Sequence, residues 1–288
     1  MARTTPPDAN GSHPDISLNR RNFAAAALGG TLVAGGAADA LAQAPPQPLP
    51  RPRMTQQSET PPLKVAMLVY PGMIALDLIA PQTILQILNS DIHLVGETRD
   101  PVMTDVSLPV TPTCTVAECP RDLDVLFVPG GLMGSVACMK KPVILDFLAD
   151  RGERARFVTS VCTGGLVLAA AGLLRGYRAT AHWGVVDLLP LMGAIKADAR
   201  VVHDRNRVTG AGATAGLDFG LALAALLRGQ EAAERAQLIL EYEPEPPFHK
   251  GTPALVGPER MTQVRAGRVW MDGQAREAAL AAARRLGI

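Results

Sequence analysis

The 288-residue chain carries almost no excess charge, with 28 Lys and Arg against 27 Asp and Glu. No basic stripe stands out, so nothing electrostatic points to nucleic acid as a partner. Cysteine is scarce: the four are Cys114, Cys119, Cys138 and Cys162. No two of them have CxxC spacing and no histidine cluster lies beside them, which argues against a zinc site. No internal repeat is apparent. The apolar stretch from Ala24 to Ala42 is rich in Ala and Gly and is interrupted by Asp39, a poor composition for a membrane anchor.

That stretch instead follows Arg20-Arg21 and Phe23, and it ends in the small residues Ala40, Ala42 and Ala44. This is the layout of a twin-arginine export signal, with a surface helix bearing an incidental Arg pair as the alternative. The signal is assigned to residues 1–44, giving a periplasmic protein with no stable membrane insertion after processing. Residues 45–62 are rich in proline and polar residues and read as an extended linker. Residues 63–253 are expected to form one catalytic domain, and 254–288 a tail with a short, Ala/Arg-rich peripheral helix. An oxidising compartment would let Cys114 and Cys119 pair across a short loop, though spacing alone does not establish the geometry.

Within the domain, strand-like and helix-like segments alternate, which argues for a mostly parallel sheet covered on both faces. Expected strands are Lys64–Tyr70, Asp91–Glu97, Asp124–Val128 and Phe157–Val161, with a strand pair within Val102–Val116 and a hairpin over Val201–Thr209 turning near Asn206. Expected helices are Ile74–Leu88, Pro142–Arg151, Ala213–Leu227 and Gln230–Tyr242. Sites in such sheets form beyond the C-terminal ends of the strands.

At the end of Phe157–Val161 stands Cys162, followed by Thr163, Gly164, Gly165 and a small-residue helix. This reads as a nucleophile elbow, the thiol placed at a helix N-terminus where its thiolate is favoured. A buried structural thiol is the competing reading. Asp77, flanked by Ala75, Leu76, Leu78 and Ile79, is either a helix N-terminal cap or a buried functional carboxyl. Gly130 and Gly131 form an ordinary turn or, beside a nucleophile, supply backbone N–H groups to a developing negative charge. His182 is expected to support the site by packing or hydrogen bonding rather than to act on substrate.

The ordered set Tyr70-Pro71-Gly72, Leu76–Pro81, Cys119-Pro120 with Asp124–Gly131, Thr159–Gly164, Ala170–Leu174, Ala179–Trp183, Val208–Asp218 and Leu240–Phe248 resembles the DJ/PfpI superfamily, which is related to the class I glutamine amidotransferases. Within it the chain looks most like the isonitrile hydratase branch. The resemblance implies a flavodoxin-like three-layer α/β sandwich, a homodimer, an acid at Asp77, a nucleophile at Cys162 and an adjacent hydroxyl at Thr163. The peptidase-like and glyoxalase-like branches usually place a histidine after the cysteine and use a glutamate as acid; Thr163 and Asp77 stand here instead. Gly165 occupies a position where the hydratases tend to have serine.

The implied activity is cysteine-dependent hydration of isonitriles to N-substituted formamides through a covalent thioimidate, with a small molecule as partner and neither metal nor organic cofactor. It requires one carbon to gain both a proton and an oxygen, hence an acid and a nucleophile meeting at one atom. A superfamily enzyme acting on reactive carbonyls and a non-catalytic thiol-sensing or binding protein are the alternatives.

Overall fold

The computed structural model describes residues 60–288; the expected export signal, and the linker up to residue 59, lie outside the described residues. The chain runs β1 (Leu63–Leu68), α1 (Ala75–Ile87), β2 (Ser90–Gly96), β3 (Val102–Met103), β4 (Pro109–Val110), β5 (Cys114–Thr115), β6 (Val125–Val128), α2 (Leu132–Met139), α3 (Pro142–Arg154), β7 (Phe157–Val161) and α4 (Gly164–Ala170). It continues through β8 (Arg178–Ala179), a 3₁₀ helix (Val186–Met192), β9 (Ile195–Lys196), β10 (Val201–Asp204), β11 (Arg207–Gly210), α5 (Ala215–Arg228), α6 (Gln230–Ile239), α7 (Pro253–Val256), α8 (Pro258–Ala266) and α9 (Val269–Leu286).

Seven strands form one sheet in the order β10-β11-β7-β6-β1-β2-β5. All neighbours are parallel except β10 and β11, which pair antiparallel as the hairpin. The central strands β6 and β7 are buried at every position, as a parallel sheet covered on both faces demands. Helices pack against this sheet to give the three-layer, mostly parallel α/β sandwich. α1 and α5 pack closely because Gly216 and Gly220, one turn apart, face Ala80, Pro81 and Ile84. A Cβ at Gly220 would lie 2.6 Å from the Ile84 side chain.

Two segments differ from the sequence expectations. Val102–Val116 does not pair within itself alone: β3 and β4 form a small hairpin, while β5 joins the main sheet beside β2. Pro109 and Pro112 keep the ladder short because proline donates no backbone hydrogen bond. The C-terminal segment is not a short peripheral helix. α9 spans 18 residues and packs on α2, α4 and the 3₁₀ helix, with Ala275, Ala278, Ala279 and Ala282 buried in the core. Small side chains hide this face from a reading of bulky apolar periodicity. None of the described helices is long and apolar enough to cross a membrane.

Candidate active site

The sheet order places β1, β6 and β7 side by side, so the segments that follow their C-terminal ends converge. Asp77 comes from the first turn of α1, Gly130 and Gly131 follow β6, and Cys162 and Thr163 follow β7. Gly130 is the meeting point. A Cβ there would lie 2.6 Å from the Asp77 Oδ2, 2.6 Å from the Thr163 N and 2.7 Å from the Cys162 Cβ. Only glycine permits this approach, and the acid and the thiol share one small space.

Cys162 has φ 55°, a left-handed conformation that costs an L-residue roughly 1–2 kcal/mol. The surrounding backbone holds it there. Its N–H donates to Gly210 O at 3.1 Å and Ala211 O at 2.7 Å, and its carbonyl accepts the His182 N–H at 3.2 Å. Gly164 completes the elbow, since a Cβ on it would lie 2.2 Å from Val128 O.

The electrostatics correct one expectation. The thiolate is not the resting form at neutral pH. Burial first, and then the Asp77 charge, push the Cys162 thiol far above the usual range; the Thr163 N–H and the charge of Arg268 act weakly the other way. Burial likewise raises Asp77 from 3.8 to about 6, opposed by hydrogen bonds from Gly130 and Cys162. The proton shared by this pair therefore rests on sulfur, with Asp77 as the base that can receive it. Asp77 is fully buried; its Oδ2 accepts the Gly130 N–H at 2.7 Å, while its Oδ1 is left without a conventional hydrogen-bond partner.

The glycine N–H groups do not stand open. Gly130 donates to Asp77 and Gly131 donates to Thr163 Oγ1 at 2.8 Å, so the turn fixes the acid and the hydroxyl instead of facing a developing charge. Beyond Thr163 runs a buried chain of hydroxyls. Thr163 Oγ1 lies 2.8 Å from Ser135 Oγ, which lies 3.1 Å from Tyr70 Oη, and Tyr70 donates to Pro129 O at 2.6 Å. Burial holds the Tyr70 phenol well above its usual range, so it keeps its one proton. Each hydroxyl has one hydrogen. With the Tyr70 hydrogen on Pro129, Ser135 must donate to Tyr70, and Thr163 must donate to Ser135. Thr163 therefore presents to the site only an acceptor lone pair.

His182 Nδ1 accepts the Gly184 N–H at 3.1 Å, while burial and the Arg268 charge lower its pKa to about 4. The ring is neutral at physiological pH and braces the elbow through its backbone. Tyr70, Ser135 and Arg268 escaped the sequence reading. Tyr70 lies just beyond β1, and Ser135 lies on α2, whose glycine-rich start concealed a helix. Cys114 and Cys119 are buried free thiols beside each other. Among the described residues no group of three or more His, Cys, Asp or Glu is arranged to hold a metal.

Residues 63–226 match the DJ-1/PfpI family. The chain is 48% identical to isonitrile hydratase of Pseudomonas putida over 192 residues, covering 66% of this chain and 83% of that protein. It is 28% identical to the Parkinson disease protein 7 homolog of Danio rerio over 148 residues, covering 50% of this chain and 78% of the relative. Among solved structures, a THiJ/PfpI family protein from Pseudomonas syringae superimposes with a TM-score of 0.75 at 45% identity, covering 80% of this chain and 98% of that one. The matched family segment holds the elbow, the acid and the hydroxyl chain: this protein belongs to the DJ-1/PfpI family.

Proposed function

We propose that the protein hydrates isonitriles to N-substituted formamides, with Cys162 as nucleophile and Asp77 as proton carrier. The observation that carries this reading is the 48% identity to an isonitrile hydratase across most of that enzyme. The buried acid–thiol pair is suited to that chemistry, because the isonitrile carbon must receive a proton and a nucleophile together.

In the scheme, the Cys162 proton passes to Asp77 and from there to the isonitrile carbon, while sulfur bonds to the same carbon. The product is a thioimidate, R–N=CH–S–Cys162, with Asp77 again ionised. Asp77 next takes a proton from water as the hydroxide adds to carbon, and nitrogen receives that proton. Thr163, with its own hydrogen committed to Ser135, accepts the water's second hydrogen and so aims its oxygen. The C–S bond then breaks, the carbon hydroxyl loses its proton to sulfur through Asp77, and the formamide leaves. One isonitrile and one water are consumed and the thiol is restored.

An exposed apolar strip supports the further proposal of a homodimer. Leu76 and Ile79 on α1, with Met103, Val106 and Leu108 on the adjacent β3–β4 hairpin, are each more than 40% exposed. Export by the twin-arginine route is proposed on Arg20 and Arg21, and Lys at both positions should leave the protein in the cytoplasm. The activity itself is tested with a panel of alkyl isonitriles and 2-oxoaldehydes, assayed for formamide and for hydroxy acid. Formamide from the isonitriles alone is the expected outcome. Hydroxy acid alone would replace this reading with a carbonyl enzyme, and neither product with ready oxidation of Cys162 would leave a thiol sensor.

A further inference from the structure

Arg268, at the start of α9, lies outside the matched family segment and is not used in the proposed chemistry, yet its charge reaches Cys162. Its Nη2 donates to Asp272 Oδ1 at 2.9 Å, and its guanidinium carbon sits 5.1 Å from the centre of the Trp183 ring. A Cβ on Gly184 would come within 2.5 Å of the same Nη2, so that glycine makes room for the guanidinium. The Nε is buried and has no hydrogen-bond partner, which is costly for a charged donor.

His182, beside Trp183 and within reach of the Arg268 charge, supplies a second donor. The rings of His182 and Trp183 are 5.1 Å apart. Because His182 Nδ1 accepts the Gly184 N–H and the ring is neutral, its proton is on Nε2, and that nitrogen makes no hydrogen bond among the described residues. The same residue's backbone N–H is bonded to the Cys162 carbonyl. Two uncommitted N–H donors and an indole are thus grouped on a segment tied by its backbone to the nucleophile's carbonyl. The Arg268 charge is met by Asp272 on one nitrogen only.

We propose that Arg268, Trp183 and His182 form the subsite for the far end of the substrate, and that this end carries a carboxylate. The indole would pack the hydrocarbon of the R group, and the Arg268 and His182 N–H groups would bond the carboxylate oxygens. Charge-assisted bonds of this kind satisfy the donor that folding leaves without a partner. The inference deepens the hydratase reading and rests on the isonitrile carbon docking at Cys162.

The test compares 4-isocyanobutanoate with n-butyl isonitrile, two substrates of similar length, on the full chain and on R268M and R268K. The wild type should favour the carboxylate by about tenfold or more in kcat/KM, and R268M should bring the ratio close to one. R268K, which keeps the charge without the Nε donor, should retain part of the preference and guards against a folding failure in R268M. Equal kcat/KM values in the wild type would overturn the subsite while leaving the hydratase standing. Should neither isonitrile react, the hydratase reading fails, and the subsite is decided by calorimetry of 4-formamidobutanoate binding to the wild type. Binding weakened about tenfold by R268M would uphold it, and no binding would end it.

Discussion

Two polar clusters meet at the elbow and are built on opposite terms. On one side, the Asp77–Cys162 pair is buried, raised in pKa and left with a carboxylate oxygen that no conventional donor satisfies. On the other, Gly131, Thr163, Ser135, Tyr70 and Pro129 form a chain in which every hydrogen has one destination. The contrast separates two tasks. In the proposed chemistry, a proton that must move needs competing homes of unequal comfort, whereas a hydroxyl that must aim water needs its orientation settled beforehand. The fold accepts instability on the first side and rigidity on the second.

Breaking the movable side should have the largest effect. C162A should lower formamide production by about a thousandfold or more, to background, since no covalent intermediate can form. D77N should be comparably inactive yet more stable at neutral pH. Burial raises the Asp77 pKa from 3.8 to about 6, so its folded-state stability contribution is fullest below 3.8 and is lost as pH rises through 6. With roughly two pKa units at issue, removing the ionised form should raise stability at pH 7 by up to about 3 kcal/mol. Thermal melts of the two proteins at pH 4 and pH 7 check this: the gap should be wide at pH 7 and small at pH 4.

Breaking the fixed side should cost less. S135A and Y70F should each lower kcat by about ten- to a hundredfold with little change in KM, because they disturb water's aim and not substrate binding. T163S should keep most of the rate and T163V should lose it. If S135A turned over as the wild type does, the hydroxyl chain would be structural only.

The pH profile sharpens the same contrast. kcat/KM should climb through about pH 6 as Asp77 becomes able to take the Cys162 proton, falling about tenfold per unit below it. It should then stay level through pH 9, since the thiol titrates far higher. A fall between pH 7 and 9 would place the resting proton elsewhere.

The strands of a mostly parallel sheet, the elbow and the acid were legible in the sequence because each has a local signal, whereas the strand order was not. Alternating apolar runs mark strands, a small-residue turn marks the elbow, and a lone acid among aliphatics stands out at Asp77. The polarity of the pair was not legible. A helix N-terminus argues for a thiolate, and only the full enclosure of Cys162, 2% exposed, lets desolvation outweigh it. Ser135 and Tyr70 are 65 residues apart and meet only through the topology. Arg268 was concealed in a segment whose buried face is alanine.

The smallest expected effect concerns Gly165. Ser160 Oγ is buried without a partner, 3.7 Å from where a Cβ on Gly165 would sit, and that Cβ would make only ordinary contacts with Ala181 and Thr180. G165S should give Ser160 a hydrogen bond and stiffen the first turn of α4. A gain of about 1 kcal/mol, read as roughly 2–4 °C in Tm, is expected. A lower Tm would mean that Ser160 is served by water that the new side chain displaces.

The central claim, that sulfur and a carboxyl act on one carbon, is tested most directly by intact mass. Protein mixed with an alkyl isonitrile and quenched in acid within a turnover should gain the mass of one isonitrile, confined to the peptide bearing Cys162. Formamide production with no adduct there, or an adduct on Cys114, Cys119 or Cys138 instead, would contradict the account.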